Sequence, residues 1–232
     1  MKIGIFSDAH GNIEALKKAY SFFANENVDD VYFIGDAVGY LPYGLEVIDF
    51  LMENKIKCIK GNHEAMLLGE LPIKIENKSI YCLDKIASKI SSQQISFISA
   101  WPHYYELFYN NAKTLLVHGS PTNFLNGYVY PDTDLKTFVN TSYDKIVMGH
   151  THRPFIKKQE DKIFINTGSV GLPRDVGNLS SVLIMDLKNS TQNIYRFLFN
   201  ETGFIKNNEV HQLTKDCLIR NEQNHFGKII II

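Results

Sequence analysis

The stretch that decides the fold runs from residue 3 to residue 12 and reads Ile-Gly-Ile-Phe-Ser-Asp-Ala-His-Gly-Asn. Its apolar half, Ile3 to Phe6, predicts a short buried strand, and apolar residues then recur at spacings of three and four from Ile13 to Phe23, which predicts an amphipathic helix. The pattern returns as a strand at Val31 to Ile34, a helix at Leu45 to Met52 and a strand at Ile56 to Ile59. Strands that alternate with helices predict parallel strands joined by crossovers, so the first third of the chain is expected to be α/β.

The middle of the chain is expected to be helical up to Trp101, and strands are expected after it. Residues 64–101 are expected to be helical, with one helix from Ile80 to Ile90 and another that begins after Ser91. After Pro102, short strands with turns between them predict a second, mixed sheet that faces the first. We place its strands at Tyr104–Tyr109, Thr114–Val117, Lys145–Met148, Phe155–Lys158, Lys162–Asn166, Val182–Leu187 and Ile194–Phe199. Residues 202–232 carry weaker patterns and are expected to form a peripheral tail of a single domain that spans residues 1–232.

The composition is that of an ordinary globular protein, with 44% hydrophobic and 21% charged residues. The 24 Lys and Arg residues nearly cancel the 25 Asp and Glu residues, so the molecule has little long-range field to attract nucleic acid or an anionic membrane. No apolar run approaches the ~20 residues that span a bilayer, and the N-terminus lacks a signal-peptide pattern, so we expect a cytoplasmic location. Cys58, Cys82 and Cys217 show no metal-type spacing and are expected to be reduced thiols.

Polar side chains capable of binding metals follow five of the predicted strands. In open α/β sheets, ligands gather outside the carboxyl ends of the strands, so these side chains are expected to meet at one edge. Taken singly, a Gly-Asp pair such as Gly35-Asp36 is ordinary turn chemistry, but five such segments in order favour a metal centre. The candidate ligands are Asp8, His10, Asp36, Asn62, His118, His150 and His152.

The mixture of oxygen and imidazole ligands suits divalent ions such as Mn, Fe or Zn, with Mg and Ni as alternatives. Seven candidate ligands exceed what one ion needs once substrate and water take positions, whereas a carboxylate can bridge two ions roughly 3.5–4 Å apart. The sequence therefore predicts a centre of two divalent ions.

These motifs resemble the calcineurin-like metallophosphoesterase superfamily, and within it the small bacterial and archaeal branch that includes phosphodiesterases and relatives of diadenosine tetraphosphatase. Segments Ser7 to Asn12, Gly35 to Tyr40 and Asn166 to Asp175 support that branch, and the resemblance covers roughly residues 1 to 200. It implies a four-layer α/β/β/α sandwich of two facing mixed sheets, with the helices of residues 64–101 as a partial lid near the site.

The resemblance also implies a role for each candidate residue. Asp8, His10 and His152 would bind one ion, Asn62, His118 and His150 would bind the other, and Asp36 would bridge them. A hydroxide held between the two ions would attack phosphorus in line. His63 would not be a ligand but would contact the phosphate or protonate the leaving oxygen.

The expected substrate is a small phosphorylated molecule, either a phosphodiester or a nucleotide-like pyrophosphate. A phosphomonoesterase of the same mechanism is an alternative, and so is a non-catalytic metal-binding scaffold, because a retromer subunit shares this fold with a degraded site. The presence of every ligand position favours catalysis. Asp36 is followed by Ala37, without the Asp-Arg-Gly of protein phosphatases. The balanced charge and the lack of an appended DNA-binding domain count against a nuclease.

Substrate contacts are less well defined by the sequence. Arg174 is a candidate phosphate contact because a guanidinium can bind phosphate oxygens bidentately, although an arginine in a Pro-containing turn can equally be a surface residue. Asn12 could face the phosphate or cap the first helix. Three aromatic residues could stack on a nucleobase or serve packing alone: Tyr40, Tyr43 and Phe124. Three further histidines are expected to be structural or solvated: His103, His211 and His225.

Overall fold

The computed structural model describes residues 1–232, which form eleven strands, eight α-helices and two 3-10 helices at Ile75–Asn77 and Leu135–Phe138. The strands are β1 (Lys2–Phe6), β2 (Asp30–Phe33), β3 (Lys57–Cys58), β4 (Tyr104–Tyr109), β5 (Ala112–Val117), β6 (Lys145–Met148), β7 (Phe155–Gln159), β8 (Lys162–Asn166), β9 (Leu179–Asp186), β10 (Thr191–Leu198) and β11 (Lys228–Ile229). The helices are α1 (Ile13–Asn25), α2 (Gly44–Glu53), α3 (Asn62–Leu67), α4 (Lys78–Tyr81), α5 (Leu83–Ala87), α6 (Ser92–Ser99), α7 (Thr202–Lys206) and α8 (Gln212–Leu218). No helix has the length and apolar character needed to cross a membrane.

The first sheet has six strands in the order β11-β10-β9-β1-β2-β3. Strands β1, β2 and β3 are parallel, as the sequence predicts, and Phe6 lies opposite Phe33 in the register. Strand β9 runs antiparallel to β1 and pairs Leu183 with Ile5. The prediction that β9 and β10 belong to the second sheet is wrong. A run of apolar residues indicates a buried strand, but it does not identify the strand that pairs with it.

The second sheet has five strands in the order β4-β5-β6-β8-β7. Its three central strands are parallel, and the edge strands β4 and β7 run antiparallel to their neighbours. The sheet is therefore mixed. Both sheets contain parallel strands that end at the same edge of the sandwich, and this edge carries the site described below.

The inner faces of the two sheets pack against each other through apolar residues. Ile5, Ile34 and Leu183 of the first sheet share one cluster with Leu116 and Val147 of the second. The outer face of the first sheet is covered by helices. Their apolar faces form the largest cluster of the core, in which residues of α1 and α2 pack against the first sheet.

The outer face of the second sheet is covered differently. Residues 119–144 contain only a short 3-10 helix, and Val129 and Leu135 from this segment pack against Phe164 of β8. The expected α/β/β/α sandwich is confirmed, and its fourth layer is thin because irregular chain supplies most of it.

The segment expected to form a helix from Ile80 to Ile90 is instead divided into α4 and α5. Cys82 lies between them in the left-handed conformation, at φ 55°, which an α-helix does not accommodate. The helix predicted after Ser91 is present as α6, and the Ser91 and Gln94 side chains form a reciprocal capping box.

The tail contributes more regular structure than its weak pattern predicts. Strand β11 pairs with β10 and adds the sixth strand to the first sheet. Helix α8 buries Cys217 and Leu218 against the same cluster that α1 and α2 form. The tail therefore extends the first sheet by one strand and adds α8 to the helical side of that sheet.

Candidate metal centre

The seven candidate ligands lie together at the edge where the parallel strands end. Asp8 follows β1, Asp36 follows β2, and Asn62 begins α3 after a short loop from β3. From the second sheet, His118 follows β5 and the His150 loop follows β6. Each of the seven residues is at most 5% exposed. Two sheets thus deliver buried oxygen and nitrogen donors to one place.

Three of these side chains converge on one side of the cluster. His10 Nε2 and His152 Nε2 are 3.0 Å apart, and Asp8 Oδ1 is 3.2 Å from His152 Nε2 and 3.7 Å from His10 Nε2. Two imidazole nitrogens that bind one ion at about 2.1 Å each, at right angles, would be about 3.0 Å apart. This spacing therefore fits a shared divalent ion.

Asp36 links this group to a second one. Its Oδ2 lies 3.6 Å from His10 Nε2 and 3.3 Å from His118 Nε2. His118 Nε2 is in turn 3.0 Å from Asn62 Oδ1, and His150 has a ring nitrogen close enough to share an ion with Asp36 and His118. The Asp36 carboxylate is thus shared between both groups, as a bridging ligand would be.

Three imidazole rings are held by hydrogen bonds on the side away from the cluster. The Nδ1 atoms of His10, His118 and His152 lie within hydrogen-bond distance of the backbone carbonyls of Val38, Ile34 and Leu172, respectively. A neutral ring that donates through Nδ1 keeps Nε2 free of a proton, so its lone pair is available to a metal. The backbone therefore fixes the orientation of these candidate ligand rings.

Several buried polar atoms in the cluster have no hydrogen-bond partner. They are Asp8 Oδ1, His63 Nδ1 and His150 Nε2. An unpaired buried polar atom costs free energy, and such atoms are rare in native proteins. A divalent ion would satisfy Asp8 Oδ1 and His150 Nε2, so the residues fit a metal centre.

The electrostatics of the cluster also favour cations. Burial alone would raise the pKa of Asp8, but the adjacent His152 and His10 rings hold it well below its usual range. Asp36 is likewise held ionised, against burial, by His118 and its neighbours. Burial lowers the pKa of His150 to about 3 and that of His152 to about 4, which leaves these rings neutral. Burial would also lower the pKa of His118, but the adjacent Asp36 carboxylate raises it to about 10.

The backbone at the cluster is strained. Five of the seven candidate ligands adopt a positive φ, a conformation that side-chain-bearing residues rarely take. Their φ values are 56° at Asp8, 46° at His10, 63° at Asp36, 64° at His150 and 59° at His152. Residues held in this way concentrate at functional sites. This signal is independent of residue identity, and the sequence does not reveal it.

Glu64 holds two loops of the cluster in position, a role that the sequence did not indicate. Its buried carboxylate accepts hydrogen bonds from the backbone N–H groups of Asp36, Ala37, Val38 and Gly61. Burial and the nearby Asp36 charge raise its pKa, while these backbone donors act in the opposite direction. Glu64 thus joins the loops that carry Asp36 and Asn62. An acidic residue in the first turn of the short helix α3 is the one sequence signal that could have indicated this role.

His63 lies beside the cluster in an aromatic enclosure. Its backbone N–H donates to Asp36 Oδ1 at 2.9 Å. Its ring lies 4.7 Å from His10, 5.2 Å from Tyr40 and 4.5 Å from Tyr81, measured between ring centroids. Tyr81 ends α4, within the segment of residues 64–101 that the family resemblance predicts as a partial lid. His63 is therefore next to the candidate ligands and covered by that segment.

The two predicted substrate contacts differ in their surroundings. Arg174 Nη2 donates to the Tyr40 hydroxyl at 3.3 Å, and its backbone N–H donates to the His152 carbonyl at 3.2 Å. It therefore lies at the margin of the cluster. Asn12 caps α1 by accepting from Ala15 N–H and donates to the Gly171 carbonyl. These bonds favour the capping interpretation, and a substrate contact by Asn12 stays a prediction without an observed contact.

The three aromatic residues considered for base stacking differ in their packing partners. Tyr40 packs on His63, whereas Tyr43 packs on Phe204 and Phe124 packs on Tyr104. The last two contacts are those of packing residues. Besides Tyr81, a second aromatic residue that the sequence did not indicate is Tyr128, which is 53% exposed and has its ring 4.2 Å from that of His150. Its loop has no periodic pattern that could have indicated this position.

Comparison with known proteins leads to the predicted family. The model of the calcineurin-like phosphoesterase superfamily domain matches residues 1–190. Protein MJ0912 of Methanocaldococcus jannaschii is 28% identical over 215 residues, which are 84% of this chain and 86% of that protein. The phosphodiesterase MJ0936 of the same organism is 25% identical over 168 residues, 72% of this chain and 83% of its own length. A metallophosphoesterase structure from Sphaerobacter thermophilus has the same fold, with a TM-score of 0.77, 21% identity and coverage of 94% of this chain and 98% of that one. Because the match to the family extends over most of the sequence, the chain belongs to the calcineurin-like phosphoesterase superfamily.

Proposed function

We propose that the protein is a metal-dependent phosphoesterase that hydrolyses a phosphodiester or a nucleotide-like pyrophosphate. The observation that carries this proposal is the Asp36 carboxylate, which lies 3.6 Å from His10 Nε2 and 3.3 Å from His118 Nε2 and so joins two groups of buried donors. The preference for a diester is supported by the similarity to the phosphodiesterase MJ0936. A monoesterase of the same chemistry is the alternative.

We assign two divalent ions to the cluster, one to Asp8, His10 and His152 and the other to Asn62, His118 and His150, with Asp36 shared. The mixed oxygen and nitrogen donors favour Mn, Fe or Zn. When bound, such ions act as Lewis acids and lower the pKa of water, which provides a nucleophile at neutral pH. The carboxylates of Asp8 and Asp36 and the imidazoles of the cluster would hold the ions in place.

The protein's own side chains have separate tasks in the proposed reaction. His63 directs a ring N–H towards the phosphate or the leaving oxygen, and its backbone bond to Asp36 keeps it beside the cluster. Proton donation of this kind contributes about 10²–10⁴ in rate. Arg174 binds a phosphate oxygen, since no carboxylate lies within 4.0 Å of its guanidinium.

The test is hydrolysis of bis(p-nitrophenyl) phosphate and p-nitrophenyl phosphate by purified protein with measured metal content, with and without added Mn. We expect metal-dependent turnover with about two ions per chain. In the His63→Ala variant we expect turnover to fall by about 10²–10⁴ while the metal content is unchanged. His103→Ala is the matched control, because His103 is an exposed histidine outside the cluster.

Two results would contradict the proposal. Full activity in His63→Ala would remove His63 from the mechanism. A chain that binds metal but hydrolyses neither ester, nor any dinucleoside polyphosphate or cyclic nucleotide, would favour the scaffold alternative.

A further inference from the structure

A cavity of about 230 Å³ adjoins the candidate metal centre on the side of the C-terminal tail. Arg174 and Tyr40 line it from the centre's side, and Leu213, Thr214 and Arg220 line it from α8 and the residues that follow. Tyr40 contacts residues on both sides, because its ring packs on His63 while its hydroxyl accepts a hydrogen bond from Arg174. This volume is well above the roughly 10–15 Å³ that a cavity needs to hold one water.

The charges around this cavity are unbalanced. The chain has four arginines, and two of them are paired: Arg153 with Glu222 and Arg196 with Asp175. The other two, Arg174 and Arg220, have no carboxylate within 4.0 Å, and both line the cavity. Arg174 is half-buried and Arg220 is exposed, so the lining presents two cations without a counter-ion, and an anion could bind to them.

A third donor in the cavity is unsatisfied. The Thr214 hydroxyl is buried and has no hydrogen-bond partner, and Thr214 is only 2% exposed. A buried hydroxyl without a partner costs free energy that a ligand oxygen could recover. Two guanidinium groups and a hydroxyl are donors that match the oxygens of a phosphate group.

The tail is fixed against the residues that lead to the metal centre. Arg220 Nη1 donates to the Arg174 carbonyl at 3.1 Å, and Cys217 Sγ lies 3.4 Å from the Pro173 carbonyl oxygen. The Arg174 N–H in turn donates to the His152 carbonyl. An anion in the cavity would therefore lie at a fixed position relative to the candidate metal ligands.

We propose that this cavity binds a second phosphate group of the substrate while the phosphate to be hydrolysed lies at the metal centre. This inference rests on the proposed function and narrows it to substrates that carry two phosphate groups, such as phosphoanhydrides. It also assigns α8 and Arg220 as determinants of substrate specificity.

The inference can be tested by calorimetric titration of the Mn-loaded full chain with methylphosphonate and with a series of diphosphonates that have one to three methylene groups between the phosphorus atoms. We expect at least one diphosphonate to bind about tenfold or more tightly than methylphosphonate, the gain from a charge-assisted contact. In Arg220→Gln that advantage should fall by roughly tenfold, and in Thr214→Val by a few-fold. Lys215→Gln, which removes the same charge from the same helix outside the cavity, should retain the advantage.

The outcomes separate this inference from the proposed function. Methylphosphonate binding without any diphosphonate advantage, or an advantage that survives Arg220→Gln, would overturn the second-phosphate site and leave the phosphoesterase proposal standing. Two methylphosphonates per chain, one of them lost in Arg220→Gln, would show a site for free phosphate and overturn the substrate assignment. If neither class of phosphonate binds, both proposals fail.

Discussion

Gly149 shows how closely single residues are fitted around the candidate metal centre. A Cβ atom at this position would lie 2.6 Å from Asp8 Oδ2 and 2.6 Å from Ser7 Oγ. The same Asp8 oxygen accepts the His150 backbone N–H at 3.0 Å. The absence of a side chain at residue 149 therefore lets the carboxylate of one sheet contact the ligand loop of the other.

We expect Gly149→Ala to displace the Asp8 carboxylate and to weaken metal binding by about 10–100-fold, the usual effect of losing support for a ligand. Metal content after dialysis against a graded series of chelator concentrations would measure this change. Gly203→Ala is the control, since nothing lies within 4 Å of its added Cβ. Equal metal retention in both variants would contradict this account of Gly149.

At the scale of elements, Arg196 connects the tail to the first sheet. This arginine of β10 is fully buried and forms two hydrogen bonds with the Asp175 carboxylate, at 2.7 and 2.8 Å. Its remaining donors bind the carbonyls of Leu179 and Ser180 in β9 and of Phe226 in the tail. One side chain thus joins a sheet, the loop that carries Arg174 and the C-terminal segment.

Asp175→Asn should lower the free energy of unfolding by roughly 3–5 kcal/mol, because it leaves the buried Arg196 charge without its counter-ion. Urea unfolding followed by circular dichroism would measure the loss. Asp161→Asn removes an exposed carboxylate beside Lys162 and should change stability by about 0.5 kcal/mol or less. If Asp175→Asn lowers the free energy of unfolding no more than Asp161→Asn does, the buried pair contributes little to stability.

The sequence predicts the convergence of the site better than it predicts the pairing of strands. Asp8 and Asp36 could be placed together because parallel strands end at a common edge. The position of β9 could not be predicted, since burial on both faces is compatible with either sheet. The break at Cys82 and the contact between Tyr128 and His150 depend on backbone conformation and loop path, which leave no periodic signal in the sequence.

For the molecule as a whole, we propose that residues 1–232 act as one domain, because the tail helix α8 shares a core cluster with α1 and α2. The candidate ligands come from both sheets, so bound ions would connect the two halves of the sandwich. Any ligand that binds only the folded state stabilises it.

Adding Mn to metal-free protein should therefore raise the melting temperature. At a free ion concentration of about 100 times the Kd, one site contributes about 2.7 kcal/mol, which for a chain of this size corresponds to roughly 5–11 °C. Differential scanning calorimetry with chelator and with Mn would measure the shift. A melting temperature that does not respond to any divalent ion would contradict the assignment of the cluster as a metal centre.

The left-handed backbone at Asp8, His10, Asp36, His150 and His152 has a consequence for how this protein can evolve. Glycine would relieve the strain at each of these positions but would remove the ligand, so selection for stability and selection for metal binding act in opposite directions there. A descendant released from catalysis could gain stability simply by losing its ligands. Retention of all five candidate ligands in strained conformations is therefore the pattern that we expect of a chain under selection for metal binding.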